Sequence, residues 1–168
     1  SACLMRADMG GSNLSYANLS GSDIRRANIK ETNLFGANLI GVDLTESMLV
    51  RTNLENAKLN RANLSTVNLS EANLTNADMT GANLTSANLS NANLTGANLS
   101  NANLTYANLR DANLTGANMS NANLTGARMP DGTISTDSKS VSSPTATLKP
   151  DSSTTAQPSA TVKATTTT

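Results

Sequence analysis

From Leu4 to Met129 every fifth residue is apolar: twenty Leu, four Met and two Ile fill 26 consecutive positions without exception. A helix at 3.6 residues per turn would smear such a residue around its whole circumference, and a strand would send it to the opposite face at each repeat. Two residues earlier a second register runs in step, with Ala at 19 of the 26 positions and Ser, Thr or Val at the others. Ala and Leu, spaced by two, share one side of a short extended piece. To keep every such pair inside, the chain must turn once per five residues and wind into a coil filled by stacked Leu and Ala.

The composition fits a narrow solenoid core better than a globular one. Of 168 residues only 2 % are aromatic, and there is no Trp or His. The formal net charge is zero, so no strong field draws in nucleic acid, which is not expected as a partner. Without His, acid–base or metal chemistry would fall to carboxylates, Lys, Tyr or Cys, and these stand singly at outward positions. Gly81, Gly96, Gly116 and Gly126 recur in the turn slot rather than in a phosphate-binding loop. Neither a catalytic site nor a cofactor or metal site is expected. Cys3 has no internal partner, which leaves a plain surface residue, an intermolecular bridge or a modification site. No segment approaches the ~20 apolar residues of a membrane span. The chain starts at Ser1 without an initiator Met, as expected of a processed chain or a fragment, and removal of an export signal is one route to it.

The wording of the repeat, NANLTGANLSNANLTYANL, resembles the A(N/D)LXX pattern of the pentapeptide-repeat family across residues 2–129. That resemblance implies an all-β fold, a right-handed quadrilateral β-helix with four repeats per coil, Leu and Ala inward and three positions outward. Periodicity alone leaves other polygons open. Four repeats per coil would make a rod of about six and a half coils and about 31 Å, with residues twenty apart stacked.

Two boundaries organise the chain. Up to about Asn63 the outward positions carry charges such as Arg25, Arg26, Lys30, Glu31, Arg51 and Glu55, whereas Met79 to Leu109 carries none. The run of Met129, Pro130, Asp131 and Gly132 should end the regular coil through a missing donor and an Asp-Gly turn. Ile134 keeps the five-residue phase and reads as one last degenerate repeat, giving a solenoid over 1–134. In residues 135–168, 18 of 34 positions are Ser or Thr, which reads as a disordered linker, an O-glycosylated stalk or a segment that orders only on docking.

Stacking at twenty residues predicts an unbroken column of Asn13, Asn33, Asn53, Asn73, Asn93 and Asn113 bonded amide to amide, with Asn at this slot also serving the turn backbone. The same repeat spells thirteen formal N-glycosylation acceptors, eleven of them from Asn63 onward. Asn63, Asn73, Asn83, Asn93, Asn103, Asn113 and Asn123 are the candidate glycan sites. Cys3, Leu4, Tyr16, Phe35, Tyr106 and Met129 are the candidate assembly or interface positions. The leading reading is a non-enzymatic structural or protein-interaction solenoid, secreted and glycosylated. Its partners would be another protein or its own copies, stacked head-to-tail into filaments through an uncapped first repeat or paired through one end. An extracellular or extracytoplasmic place is favoured over the cytoplasm. The alternatives are the DNA-mimic role of quinolone-resistance members of the family, which this balanced charge does not fit, and a small-ligand or ice-binding surface.

Overall fold

The computed structural model describes residues 2–136; the Ser/Thr-rich segment beyond, with the expectations placed on it, lies outside them. Parallel bridges join each outward Asn-slot residue to the one twenty positions on, from Cys3 with Asp23 through to Asn108 with Arg128. This single spacing fixes four five-residue sides per coil. The fold is the right-handed quadrilateral β-helix. Coils run 2–21, 22–41, 42–61, 62–81, 82–101 and 102–121, and a part-coil follows. In the second coil the four faces centre on Asp23, Asn28, Asn33 and Asn38, and we number them first to fourth in that order.

Each corner is a tight turn. The N–H of the Ala slot donates to the carbonyl of the preceding Leu slot, as from Ala17 to Leu14 at 3.0 Å. All 25 residues just before the Ala slot, from Arg6 to Gly126, have φ between 54° and 70°. A positive φ at the third residue of a four-residue turn is the type II signature, which favours Gly or Asn there. Yet 17 of these corners carry other residues than Gly, Thr66 (φ 56°) and Tyr106 (φ 58°) among them. The left-handed conformation costs an L-residue about 1–2 kcal/mol, and it persists here because the ladders on both sides impose it. Along those ladders the Leu-slot N–H donates forward by nineteen residues and the Asn-slot N–H backward by twenty-one, as Leu34 to Asn53 at 2.7 Å and Asn53 to Thr32 at 3.0 Å show.

From Ile24 to Ala127 the Leu and Ala slots form one continuous column of buried side chains. Val42 and Val67 fit in the Ala slot fully buried. At three of the five Ala-slot positions that hold a hydroxyl, it reaches a turn carbonyl of the coil before: Thr32 to Met9 at 2.8 Å, Ser47 to Ile24 at 2.7 Å, Thr52 to Ile29 at 2.7 Å. Ser47 goes further and accepts the Ala27 N–H at 3.1 Å, so it is spliced into the corner between Ile24 and Ala27. Among the described residues no buried side-chain polar atom is left unpaired.

The expected last repeat at Ile134 does not form. Instead of bridging in parallel to the coil before, Ile134 makes an antiparallel bridge to Arg128 and is 55 % exposed. Pro130 and Asp131 sit in a turn closed from the Gly132 N–H to the Met129 carbonyl at 2.9 Å, and Asp131 accepts both the N–H and the hydroxyl of Thr133. The chain is thereby sent back along the coil it has just left. Ser135 then pairs with Gly126 and Ala127. Five-residue phase survives in the sequence, but the turn reverses direction before the phase can be used.

Candidate functional site

The outward surface begins with the Asn slot. Its Oδ1 accepts the N–H two residues on, as Ser15 to Asn13 at 3.1 Å and Thr85 to Asn83 at 3.2 Å. Where that residue is Thr, its hydroxyl also donates to the same oxygen, at 2.6 Å for Thr75 with Asn73 and Thr95 with Asn93. These Asx turns preset each corner and explain the Asn slot.

Between coils the expected amide column changes partner part-way. Asn53 donates to Asn33 at 3.2 Å and Asn73 to Asn53 at 3.3 Å, but Asn93 donates to the Thr75 hydroxyl at 2.9 Å. Asn98 and Asn103 likewise turn to Thr80 and Thr85. A threonine hydroxyl whose proton is held by one Asn offers its lone pair to the next, so the column becomes an alternating amide–hydroxyl chain. The bridges are unbroken from Asn13 to Asn113; the amide-to-amide bonds are not.

The same bonds sort the candidate glycan sites. The amide nitrogens of Asn73, Asn83, Asn93 and Asn103 donate to the coil before, and no such bond is seen for Asn63, Asn113 or Asn123 among the described residues. Of the candidate interface residues, Tyr16 and Tyr106 are prominently exposed, Phe35 is half-buried, Cys3 is exposed, and Leu4 and Met129 are partly buried against the core. Tyr16 and Phe35, one coil apart, meet edge to face with ring centroids 5.5 Å apart. Sequence reading treats them as separate; stacking by twenty, less one, joins them. Met5, Ile40 and Met48 are also exposed, so most large exposed apolar side chains lie before residue 50. Nothing in their local sequence marks these three, because the outward slots tolerate any type.

Charges stack in the same way. Arg26 pairs with Glu46 at 2.8 Å and Arg51 with Glu31 at 2.9 Å, each partner one coil away on one corner column. Asp23 is held below the usual carboxylate range, first by the hydrogen bond from the Arg25 side chain, and Arg25 is correspondingly raised. For Asp78, desolvation is the largest single influence and acts upward, but hydrogen bonds from Thr80 and Asn60 outweigh it and the net shift is downward. Asp131 is lowered chiefly by the Thr133 hydroxyl. A concavity of about 190 Å³ is lined by Met5, Arg25, Arg26, Thr45 and Glu46, below the ~300–1,000 Å³ typical of small-molecule sites. Among the described residues no group of three or more His, Cys, Asp or Glu is placed to hold a metal, and no helix is long and apolar enough to cross a membrane.

Fold and surface together define a β-solenoid that displays ladders of side chains on four flat sides. The model for pentapeptide repeats matches in eight copies, over residues 2–39, 28–65, 37–76, 62–101 and 92–129, and the chain belongs to that family. It is similar to a pentapeptide repeat protein from the thylakoid lumen of Arabidopsis thaliana, with 29 % identity and a TM-score of 0.56 over 56 % of this chain and 66 % of that one. It thus spans about two thirds of that relative's length. It is also similar to HetL of Nostoc sp. strain PCC 7120, a protein involved in heterocyst differentiation regulation, with 34 % identity over 79 % of this chain and 76 % of that one and a TM-score of 0.35. QnrB1, a plasmid-mediated fluoroquinolone resistance protein, matches with 20 % identity over 77 % of this chain and 73 % of that one, at a TM-score of 0.43. No curated protein matches the chain in sequence.

Proposed function

We propose that this chain is a non-enzymatic interaction solenoid that recognises a protein partner through the side walls of its first two and a half coils. Pentapeptide-repeat proteins are in general structural or interaction proteins. The observation that carries the reading is the uneven surface. Tyr16 and Phe35 pack together at one edge of the fourth face and Ile40 lies at its other edge, while from Met79 to Leu109 the outward residues are uncharged and, Tyr106 apart, small and polar. Exposed aromatic side chains are the usual anchors at the centre of a recognition patch.

Two finer readings fare differently. A DNA mimic needs a continuous acidic stripe, and the corner columns here alternate, Arg26 with Glu46 and Glu31 with Arg51. Filaments built by stacking ends would have to displace the turn-back at Arg128 and Ile134, which already uses the ladder groups of Gly126 and Ala127. Secretion and glycan attachment stay attached to this proposal as properties to be measured, with Asn63, Asn113 and Asn123 the sites whose amides carry no inter-coil bond.

The test places a photoreactive side chain at position 35 in one variant and at position 90 in another, then crosslinks in extract of the source organism. Capture of one defined protein from position 35 and not from position 90 is the expected result. Equal labelling from both would overturn the assignment of the patch.

A further inference from the structure

The second face is bounded by both of the inter-coil ion pairs that run along corner columns. Arg26 in the second coil and Glu46 in the third form one edge; Glu31 and Arg51, in the same two coils, form the other. Read across the face, the second coil runs positive to negative and the third negative to positive. Between the edges lie Asn28 and Lys30 in the second coil and Met48 and Val50 in the third, with Met48 41 % exposed. The four edge side chains are 52–61 % exposed and available to a partner.

This pattern is complementary to itself. When two copies lie side by side, pointing the same way and related by a two-fold axis along the rods, the left edge of each meets the right edge of the other at the same height. Arg26 then meets Glu31 of the second copy, and Glu46 meets Arg51, so each exposed pair becomes one side of a four-charge ring. Such networks contribute more than isolated surface pairs do. Met48 faces Val50, and Lys30 faces Asn28. Further along, the coils also avoid like-charge clashes: Glu71 lies opposite Thr66, Asp111 opposite Tyr106, and Arg110 opposite Asn108. No other face has a charge pair on both edges among the described residues.

From this geometry we infer that the second face is a docking surface for a second copy of the same chain, forming a parallel side-by-side dimer. The proposal stands whether or not another protein binds at Tyr16 and Phe35, and it uses neither end of the rod. The face is about 31 Å long and about 10 Å wide between corners, or about 300 Å² per partner. That puts the contact in the weak, reversible class.

The full-length chain is tested by analytical ultracentrifugation at low ionic strength over a wide concentration range. The expected result is a weight-average mass rising from 17.3 kDa towards twice that value, and falling back as salt screens the rings. The double variant R26E/E46R keeps its internal ion pair and its corner conformations but reverses one edge, so like charges face each other in the parallel dimer. It should stay monomeric with an unchanged melting temperature. E31R/R51E reverses the other edge and should behave the same alone, whereas an equimolar mixture of the two variants should form a mixed dimer. A wild-type chain that remains monomeric throughout would overturn the proposal. So would a single-edge variant that associates like wild type, since an antiparallel pairing would match each edge with itself and be indifferent to the swap.

Discussion

The ring of Tyr16 lies over Gly36, the residue at the same corner one coil further on, and a Cβ built on Gly36 would come within 2.8 Å of Tyr16 Cε1. The arrangement recurs at Tyr106 and Gly126, where a Cβ would meet the ring at 2.5 Å. A bulky corner side chain leans towards the C-terminal end of the rod, and the next corner must leave room for it. Corner residues twenty apart are therefore chosen in pairs.

Gly36→Ala should show this as a measurable penalty. The left-handed corner alone (φ 62°) costs an Ala about 1–2 kcal/mol, and displacing Tyr16 also forfeits its edge contact with Phe35, about 0.5–1.5 kcal/mol. Gly41→Ala has the same backbone demand (φ 63°) and open space around the new Cβ, so it isolates the first effect. Urea titration should rank Gly36→Ala as the less stable by about 1 kcal/mol, and adding Tyr16→Ala to both should erase the difference. Equal losses in the two single variants would show that the ring moves aside at no cost.

Thr66 is the one β-branched residue among the corner positions, at φ 56°. Its hydroxyl donates to the neighbouring Ser65 carbonyl at 2.7 Å, a partial compensation. Asn tolerates this conformation far better. Thr66→Asn should stabilise the chain by about 0.5–1 kcal/mol, seen as a rise of a few degrees in melting temperature. A fall would mean that the hydroxyl contact outweighs the strain.

Ser47 is inserted into a corner that closes on itself wherever the slot holds Ala or Val. In Ser47→Ala the corner between Ile24 and Ala27 is free to close on itself, and the cost should stay near 1 kcal/mol or less. Ser47→Val also lets that corner close, as the corners facing Val42 and Val67 do, from the Ser22 N–H to the Leu19 carbonyl at 3.1 Å and from the Ser47 N–H to the Leu44 carbonyl at 3.0 Å, so its cost should likewise stay near about 1 kcal/mol or less. Denaturation midpoints of both variants should therefore lie close to the wild-type value, and a large drop in either would mean that the corner stays open once the hydroxyl is gone.

Acid should loosen the chain at identifiable places. Asp23, Asp78 and Asp131 all have carboxyl pKa values lowered from 3.8 in the folded state. A depressed pKa contributes stability that is present above the unfolded value and is lost as pH falls through the folded one. Stability should thus be flat above about pH 5 and decline below about pH 4. Asp78→Asn restores the residue that most repeats carry at this slot and should reduce the acid-side slope while leaving stability near neutral pH little changed. Protection of the Thr133 amide from hydrogen exchange, taken relative to its intrinsic rate at each pH, should fall on the same descent as Asp131 releases it.

The five-residue repeat alone sets the inside of this protein, and its wording sets the family. Leu at every fifth position with Ala two before it admits no regular helix or strand, and the Asn slot announces the Asx turn, because both depend on contacts within a few residues. Twenty-residue stacking, expected from the family resemblance, puts corner residues in columns, but which of them bond is settled by the packing between coils. Tyr16 over Gly36, Arg26 with Glu46 and Glu31 with Arg51 fall in such columns, whereas Tyr16 against Phe35 at nineteen residues and Ser47 at the corner of Ile24 at twenty-three depend on side-chain direction, which the repeat does not specify. The end of the rod was likewise hidden: Ile134 keeps the apolar phase, but the turn at Pro130 and Asp131 reverses the chain, and direction is a property of the backbone that a side-chain rhythm does not record.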